Sequence, residues 1–485
     1  MLRLVRSVKN SFVPINQIPP EVLSTIPDYY REDDTDRALI ALTHVCRGWR
    51  DAFVSRSSLW SRLDFTNVNK TLTYIQRSQS SPLNVRLGSR ETIDSTFAPI
   101  IPHVHRLKSL TIKARALPAV LAYFRSHTPP LEKLCINIAA PRKLVLDSTL
   151  FHKGYLPSLR ELRLGGVVMG FPWKNLANLQ IFDLQSRFNG YSTAQILDFF
   201  ESAPLLHTVS LRYPMPSLSN AAPGRIVPLH HLKVFTIDTD PLHWILLRHL
   251  HIPIGASLIS RFYFRGVESP FPDYLPDRSA NFGNLSHITT INLLFNPGRG
   301  FVLLSGPSGS LRMLSEWGRR GDPSLDTKPH QILRSLGHLT ISTVQRLTIL
   351  GYSHPRPAKA EECPIFQTLY STNDLRTLVV INCNNRPFTY ALDPEQNPSD
   401  LILCSKMEEL VLYIKIWDVF DIRFLIKMAK NRASRGAKLS SITFVDRGGH
   451  GLREEALKLG EHVTHVEYRV DDTLPAWDDI PGCKF

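Results

Sequence analysis

No stretch of this chain approaches the ~18 consecutive apolar residues of a membrane-spanning helix, and no block of like charges runs along it. The first absence leaves no candidate membrane span, and the second argues against a nucleic-acid-binding arm. Cysteine is scarce. Cys46, Cys135, Cys363, Cys383, Cys404 and Cys483 are scattered without a C-x-x-C pair, the usage of a reducing compartment, so cytoplasm and/or nucleus is the expected location. Catalytic signatures are missing too. SGPSGS (305–310) has neither the spacing of a nucleophile elbow nor the lysine of a phosphate loop and reads as a flexible loop. The histidines show no ligand spacing with cysteines or acids, and His103 and His105 sit in a turn-like segment beside Pro102. The expectation is a chain that is not an enzyme and carries no cofactor and no metal.

What is present is ordinary globular material, 43% apolar and 21% charged, with ample substance for a core. The net charge of +14 favours acidic partners in general. The start, MLRLVRSVKNSF, is basic and free of acids; it reads as a frayed terminus, being short for a mitochondrial presequence.

The stretch LTHVCRGWRDAFVSRSSLW (42–60) concentrates two tryptophans in a segment too short to bury them alone. Before it, INQIPPEVLSTIPDYY offers Pro19 and Pro20 as a helix start, with Val22, Leu23 and Ile26 on one face until Pro27. The acids of REDDTDR suit the N-terminal end of the next helix. There Leu42, Val45, Trp49 and Phe53 recur at spacings of three and four, which predicts one helix from Leu39 to Phe53. Leu59, Trp60 and Leu63 begin a third apolar element. Three short helices in about fifty residues bury too little surface to stand alone, so they must rest on a neighbouring domain, a partner, or both.

The order Ile18-Pro19-Pro20-Glu21-Val22-Leu23, then Ile26, then Val45-Cys46-Arg47-x-Trp49-Arg50, then Leu59-Trp60, resembles the F-box motif. It departs from the usual pattern at Pro27 and in the lengthened first connection, as fungal F-box-like proteins also do. The resemblance implies a three-helix F-box at 15–64 that docks on the Skp-family adaptor of a cullin–RING ubiquitin ligase. By position, Ile18, Pro19, Pro20, Val22, Leu23, Ile26, Leu42, Val45, Cys46, Leu59 and Trp60 would meet the adaptor. Trp49 would anchor the F-box core.

From residue 107 a template, apolar-x-x-apolar-x-apolar, recurs thirteen times: LKSLTI at 107, LEKLCI at 131, LRELRL at 159, LQIFDL at 179, LHTVSL at 206, LKVFTI at 232 and ISRFYF at 259 among them. ITTINL at 288, VQRLTI at 344, LRTLVV at 375, MEELVL at 407, LSSITF at 439 and VTHVEY at 463 complete the series. Successive starts lie 20–32 residues apart, except one gap of 56 that implies a degenerate unit or an insertion near 300–330. Such a period is the signature of a leucine-rich-repeat solenoid, with helices between strands at 116–130, 192–206 and 418–432. An ordinary α/β domain with similar strands also fits the pattern. The expected fold is thus an α+β or α/β solenoid: the F-box, a linker and atypical capping unit over 65–105 with a strand at Leu83–Leu87, a leucine-rich-repeat-like solenoid with a parallel concave sheet over 106–470, and an acidic tail over 471–485.

In such a strand the first, fourth and sixth template positions point inward and the third, fifth and seventh outward. The outward set over the first seven copies is Lys113, Lys133, Arg163, Arg212, Arg261, Tyr263 and Arg265, interrupted by Glu161, Asp183 and Asp238. A basic stripe there suits an acidic or phosphorylated protein segment. The tail, DDTLPAWDDIPGCKF, is read as disordered, or as folding back through Trp477 and its aspartates onto that stripe. The expected function is the non-catalytic substrate-recognition subunit of an SCF-type ligase, monomeric within a hetero-complex that includes the adaptor and, through it, a cullin. A scaffold that works without ubiquitination, and a nucleic-acid-binding solenoid, are the alternatives from other classes.

Overall fold

A computed structural model describes residues 5, 8, 9, 12–23, 25, 26, 35–65, 67–88, 97–113, 124, 129–138, 144–146, 156–170, 176–185, 192–212, 225–238, 246–264, 281–296, 299–317, 328–337, 341–352, 364–397, 401–414, 422–446 and 453–470. The chain divides into two compact units, Met1–Phe188 and Asn189–Phe485, a division that falls inside the run of repeats.

In the first unit, Pro20 opens a one-turn helix, Pro20–Leu23, where a missing amide hydrogen costs nothing. The helix expected from Leu39 to Phe53 is instead two, Thr35–Thr43 and Arg47–Ser55. Cys46 breaks it with an extended backbone, φ −155° and ψ 175°. The freed carbonyl of Thr43 is recovered by Arg50 Nε at 3.1 Å, so the break leaves that acceptor satisfied. The third element is a short 3-10 turn, Ser57–Trp60, and Leu63 belongs to a strand, Arg62–Asp64.

That strand begins a six-stranded parallel sheet, continuing through Leu83–Leu87, Leu107–Ile112, Lys133–Asn137, Glu161–Gly165 and Ile181–Gln185, each paired with the next. The period of the template sets the register. Leu110, Leu134, Leu162 and Phe182 stand opposite one another, as do Ile112, Ile136, Leu164 and Leu184, and all are buried. Each such side chain contributes roughly 1.5–3 kcal/mol by leaving water, and only stacked neighbours can supply that burial. Between the first two strands the helix Val68–Ser78 is capped by the Asn67 side chain, which accepts from Lys70 N. Arg106 then ties that helix to the next turn, donating to Ser78 Oγ at 2.8 Å and Ser81 O at 2.7 Å.

Among the described residues, the large sheet of the second unit has eleven strands, beside a small parallel pair, Val227–Pro228 and Leu250–His251. The spatial order of the eleven is Thr208–Arg212, Val234–Asp238, Ser257–Phe264, Gly309–Trp317, Arg299–Gly306, Thr290–Asn296, Arg346–Leu350, Thr377–Ile381, Glu409–Ile414, Ser441–Asp446 and His465–Val470. All pairings are parallel except the two made by Arg299–Gly306. The gap of 56 residues is therefore explained: two strands are inserted, forming a meander with Thr290–Asn296, and the Gly306–Gly309 turn between them is the SGPSGS segment expected to be a flexible loop. The buried row nevertheless runs straight through, from Phe235 over Leu258, Leu311, Leu304 and Ile291 to Leu347 and Leu378.

The helix Thr193–Ser202 carries the expected cap at Ser192, completed into a capping box by Gln195. Ile422–Ser434 fills the other expected helix that is described; the one at 116–130 falls almost wholly outside the described residues. Gly351, just past its strand, turns the chain at φ +74° with no room for a Cβ against the Phe295 carbonyl, so the position admits only glycine.

Candidate functional site

Packing within the F-box-like segment sorts its apolar residues into two sets. Leu23, Leu39, Trp49, Phe53 and Trp60 are buried, with Trp49 and Phe53 in edge-to-face contact at 5.9 Å. Trp60 is wholly enclosed. Its N–H donates to Phe53 O at 2.9 Å, its ring meets Tyr74 edge-on at 5.0 Å, and the Arg77 guanidinium lies 4.3 Å from it. Leu23 and Trp60 were expected to touch an adaptor; within this chain their surface is already used, because one packs under the short helices and the other joins them to the helix Val68–Ser78.

The second set faces solvent. Val22 is 54% exposed, Val45 53% and Ile40 41%, and Pro19 and Pro20 are exposed beside Val22. Ile18, Ile26, Leu42, Cys46 and Leu59 are half-buried, so each offers an edge of apolar surface. Ile40 was not among the residues singled out from sequence. The signal lay in Leu39, Ile40 and Leu42 together, an apolar arc wider than one buried stripe can absorb. An N-terminal turn, Pro14–Gln17, adds exposed Phe12, Val13 and Ile15, and Asn16 Oδ1 lies 3.9 Å from Cys46 Sγ.

The open faces of the two sheets hold the residues read as a basic stripe. Lys133 and Arg163 both reach Glu161, at 3.0 and 2.6 Å, and Asp183 stands opposite Arg163 in the next strand. Arg212 and Arg261 flank Asp238 in register. In-register parallel strands bring the same template position side by side about every 4.8 Å, so the acids meet the bases instead of interrupting them at a distance. The stripe is a mixed, largely compensated face, a correction to the sequence reading. Lys113 remains exposed at its edge. The strand Ser257–Phe264 starts four residues earlier than the template at 259 implies, yet a shift of four preserves the alternation, and Arg261 stays on the open side. The side chain of Tyr263, all of Arg265 and the tail 471–485 lie outside the described residues. At the inserted meander the open face turns apolar, with Leu294, Phe301 and Leu303 buried and Leu350 against them.

Among the described residues no three His, Cys, Asp or Glu side chains gather as metal ligands would. No described helix is long and apolar enough to cross a membrane. His103 and His105 have ring centroids 6.5 Å apart, and burial, then Arg106 and His105, push the His103 imidazole below its ordinary range. Cys135 sits mid-face beside Arg163 and Lys133, but burial raises its thiol, which makes it a poor nucleophile.

In comparison with known proteins, the chain as a whole matches no curated protein. Its N-terminal segment does match a family model, F-box-like, over residues 15–66, the same span that carries the buried tryptophans and the exposed valines. The chain therefore carries an F-box-like domain at its N-terminal end, the kind of domain that generally binds Skp-family adaptors.

Proposed function

We propose that this protein is the substrate-recognition subunit of an SCF-type cullin–RING ubiquitin ligase, non-catalytic itself. The F-box-like domain docks on a Skp-family adaptor, and the repeats that follow form a leucine-rich-repeat-like solenoid that binds a protein substrate. One observation carries the reading: Val22, Ile40 and Val45 stand 41–54% exposed on a domain whose Leu23, Leu39, Trp49, Phe53 and Trp60 are buried. Apolar side chains presented together at a surface mark a protein interface. Their burial against a partner would contribute roughly 25 cal/mol per Å² removed from water. The broad, mixed-charge sheet faces suit a protein segment better than a small metabolite. The location that follows from such a role is cytoplasm and/or nucleus.

The experiment is capture of a purified Skp-family adaptor by the full chain, beside a Val22→Asp, Val45→Asp double variant. Both positions are exposed, so the variant keeps the fold. Binding by the parent and loss in the variant support the proposal. Absence of binding by both refutes the adaptor reading and leaves a scaffold without ubiquitination.

A further inference from the structure

A cavity of about 270 Å³ opens between the helices Thr35–Thr43, Arg47–Ser55 and Val68–Ser78. Four basic side chains line it, His44, Arg50, Lys70 and Arg77, together with the rings of Trp60 and Tyr74, and none of its lining residues is a carboxylate. Lys70 is answered from outside the cavity by Asp64 at 2.8 Å. The two arginines are not answered in that way. The Arg77 guanidinium carbon lies over the Trp60 ring, 4.3 Å from its centroid, a contact that uses none of its N–H donors. Arg50 uses Nε on the Thr43 carbonyl, which leaves its two terminal nitrogens. Among the described residues no ion pair joins either arginine to a carboxylate.

Helix packing thus gathers two arginines and a histidine around one space that opens to solvent at His44 and Arg50. Like charges held so are mutually unfavourable until an anion enters. The space falls below the 300–1,000 Å³ typical of pockets for drug-sized ligands and holds roughly nine waters' volume, enough for one charged group and not for a large cofactor. Arginine edges match the paired oxygens of a phosphate or carboxylate.

We propose that this cavity is an anion-binding site that takes a phosphate monoester or a carboxylate between Arg50 and Arg77, with the exposed His44 beside them. That chemistry has two sources, a small free anion or an acidic or phosphorylated side chain of the docked adaptor. The site does not depend on the ligase reading.

The test uses the full chain with Thr73→Glu, which sets a carboxylate among the cavity's cations from an exposed helical position, and Arg50→Gln, which removes one fork without disturbing Trp60. Circular dichroism verifies the fold of each. Inorganic phosphate and phosphoserine are titrated calorimetrically at low ionic strength into the free chain, and adaptor affinity is measured for the same set. A free-anion site gives saturable one-to-one binding of at least one probe, weakened tenfold or more by either variant. An adaptor-supplied group gives no probe binding but a tenfold or greater loss of adaptor affinity in Thr73→Glu. The proposal is overturned if probes bind all three chains equally, or if no probe binds and neither variant alters adaptor affinity. Should no adaptor bind the parent chain, the two probes decide alone.

Discussion

The indole N–H of Trp60 donates to the main-chain carbonyl of Phe53 at 2.9 Å. That bond folds the Ser57–Trp60 turn back onto the last turn of the helix before it, while Tyr74 and Arg77 close over the ring from the helix after it. Trp60 is thus a joint between the F-box-like segment and the sheet that follows. Trp60→Ala should destabilise the protein by about 3–5 kcal/mol, the cost of truncating a buried aromatic, read as a shift in denaturant midpoint. Trp60→Phe keeps most of the bulk but orphans the carbonyl, for about 1–3 kcal/mol. Native stability in Trp60→Ala would contradict the placement.

Val45→Asp is the opposite case. Val45 is exposed, so stability should change by within about 0.5 kcal/mol. Adaptor affinity should fall tenfold or more, because a carboxylate would have to be desolvated in an apolar interface. The pair of variants separates a folding role from a docking role: thermal melts and adaptor affinity should respond in opposite order for Trp60→Ala and Val45→Asp.

Much of this was legible from residue spacing. All thirteen template copies are strands, because a period-two pattern with leucine at its inward positions suits a stacked parallel sheet and little else. The meander at 290–317 was not legible. The first extra strand, Arg299–Gly306, is buried on both faces and shows no alternation; the second, Gly309–Trp317, alternates at Leu311 and Met313 but has Ser308 where the template needs its first apolar residue. Within the F-box-like segment, spacings of three and four continue across the break at Cys46, yet Val45 before it faces solvent while Trp49 and Phe53 after it are buried; periodicity is blind to one extended residue. Trp60, buried within this chain, shows a different limit. A motif marks that an aromatic is needed, and only packing shows whether it is covered by this chain or by another.

Arg432 is fully buried and donates to the carbonyls of Leu403 at 2.8 Å and Cys404 at 2.9 Å. These hold the turn where Cys404 takes φ +48°. Burial lowers the guanidinium's pKa, a shift that the neighbouring Cys404 only partly offsets. Arg432→Met should fill the volume yet take its donor from the Leu403 carbonyl and leave Cys404 O only the Met407 N–H, a loss of roughly 1–3 kcal/mol. Arg432→Lys should rescue little, since one ammonium cannot copy the planar fork. Equilibrium denaturation of the three chains checks both statements; full rescue by lysine would show that charge alone matters there.

Burial pushes the Cys383 thiol up to about 12 and the Cys404 thiol up to about 11. At pH 8 neither should react with a thiolate-selective reagent while the protein is folded, because the thiolate is the nucleophile. Cys46, half-buried among the residues proposed to meet the adaptor, should label in the free chain and become protected in the complex. Peptide mapping after brief labelling reads all three sites together. Rapid modification of Cys383 in the native chain would mean that the strand end near Tyr352 opens readily.

Tyr468 donates a short hydrogen bond to the buried carboxylate of Asp446 on the neighbouring strand. Burial, with the hydrogen bond and charge of Asp446, pushes its phenol up to about 12. In the unfolded chain a tyrosine ionises near pH 10. Below that both states keep the proton and the native bond contributes in full. Between pH 10 and 12 the unfolded chain releases the proton first, so unfolding is favoured as pH rises, and beyond 12 the contribution is gone. Tyr468→Phe has no proton to lose. It should be less stable than the parent at pH 8, and the difference should shrink as pH is raised from 10 towards 12. Denaturant midpoints of both chains at pH 8, 9, 10 and 11 give the comparison, in which lysine and other shared titrations cancel. A gap that stays constant to pH 11 would mean the bond to Asp446 does not hold the proton in solution.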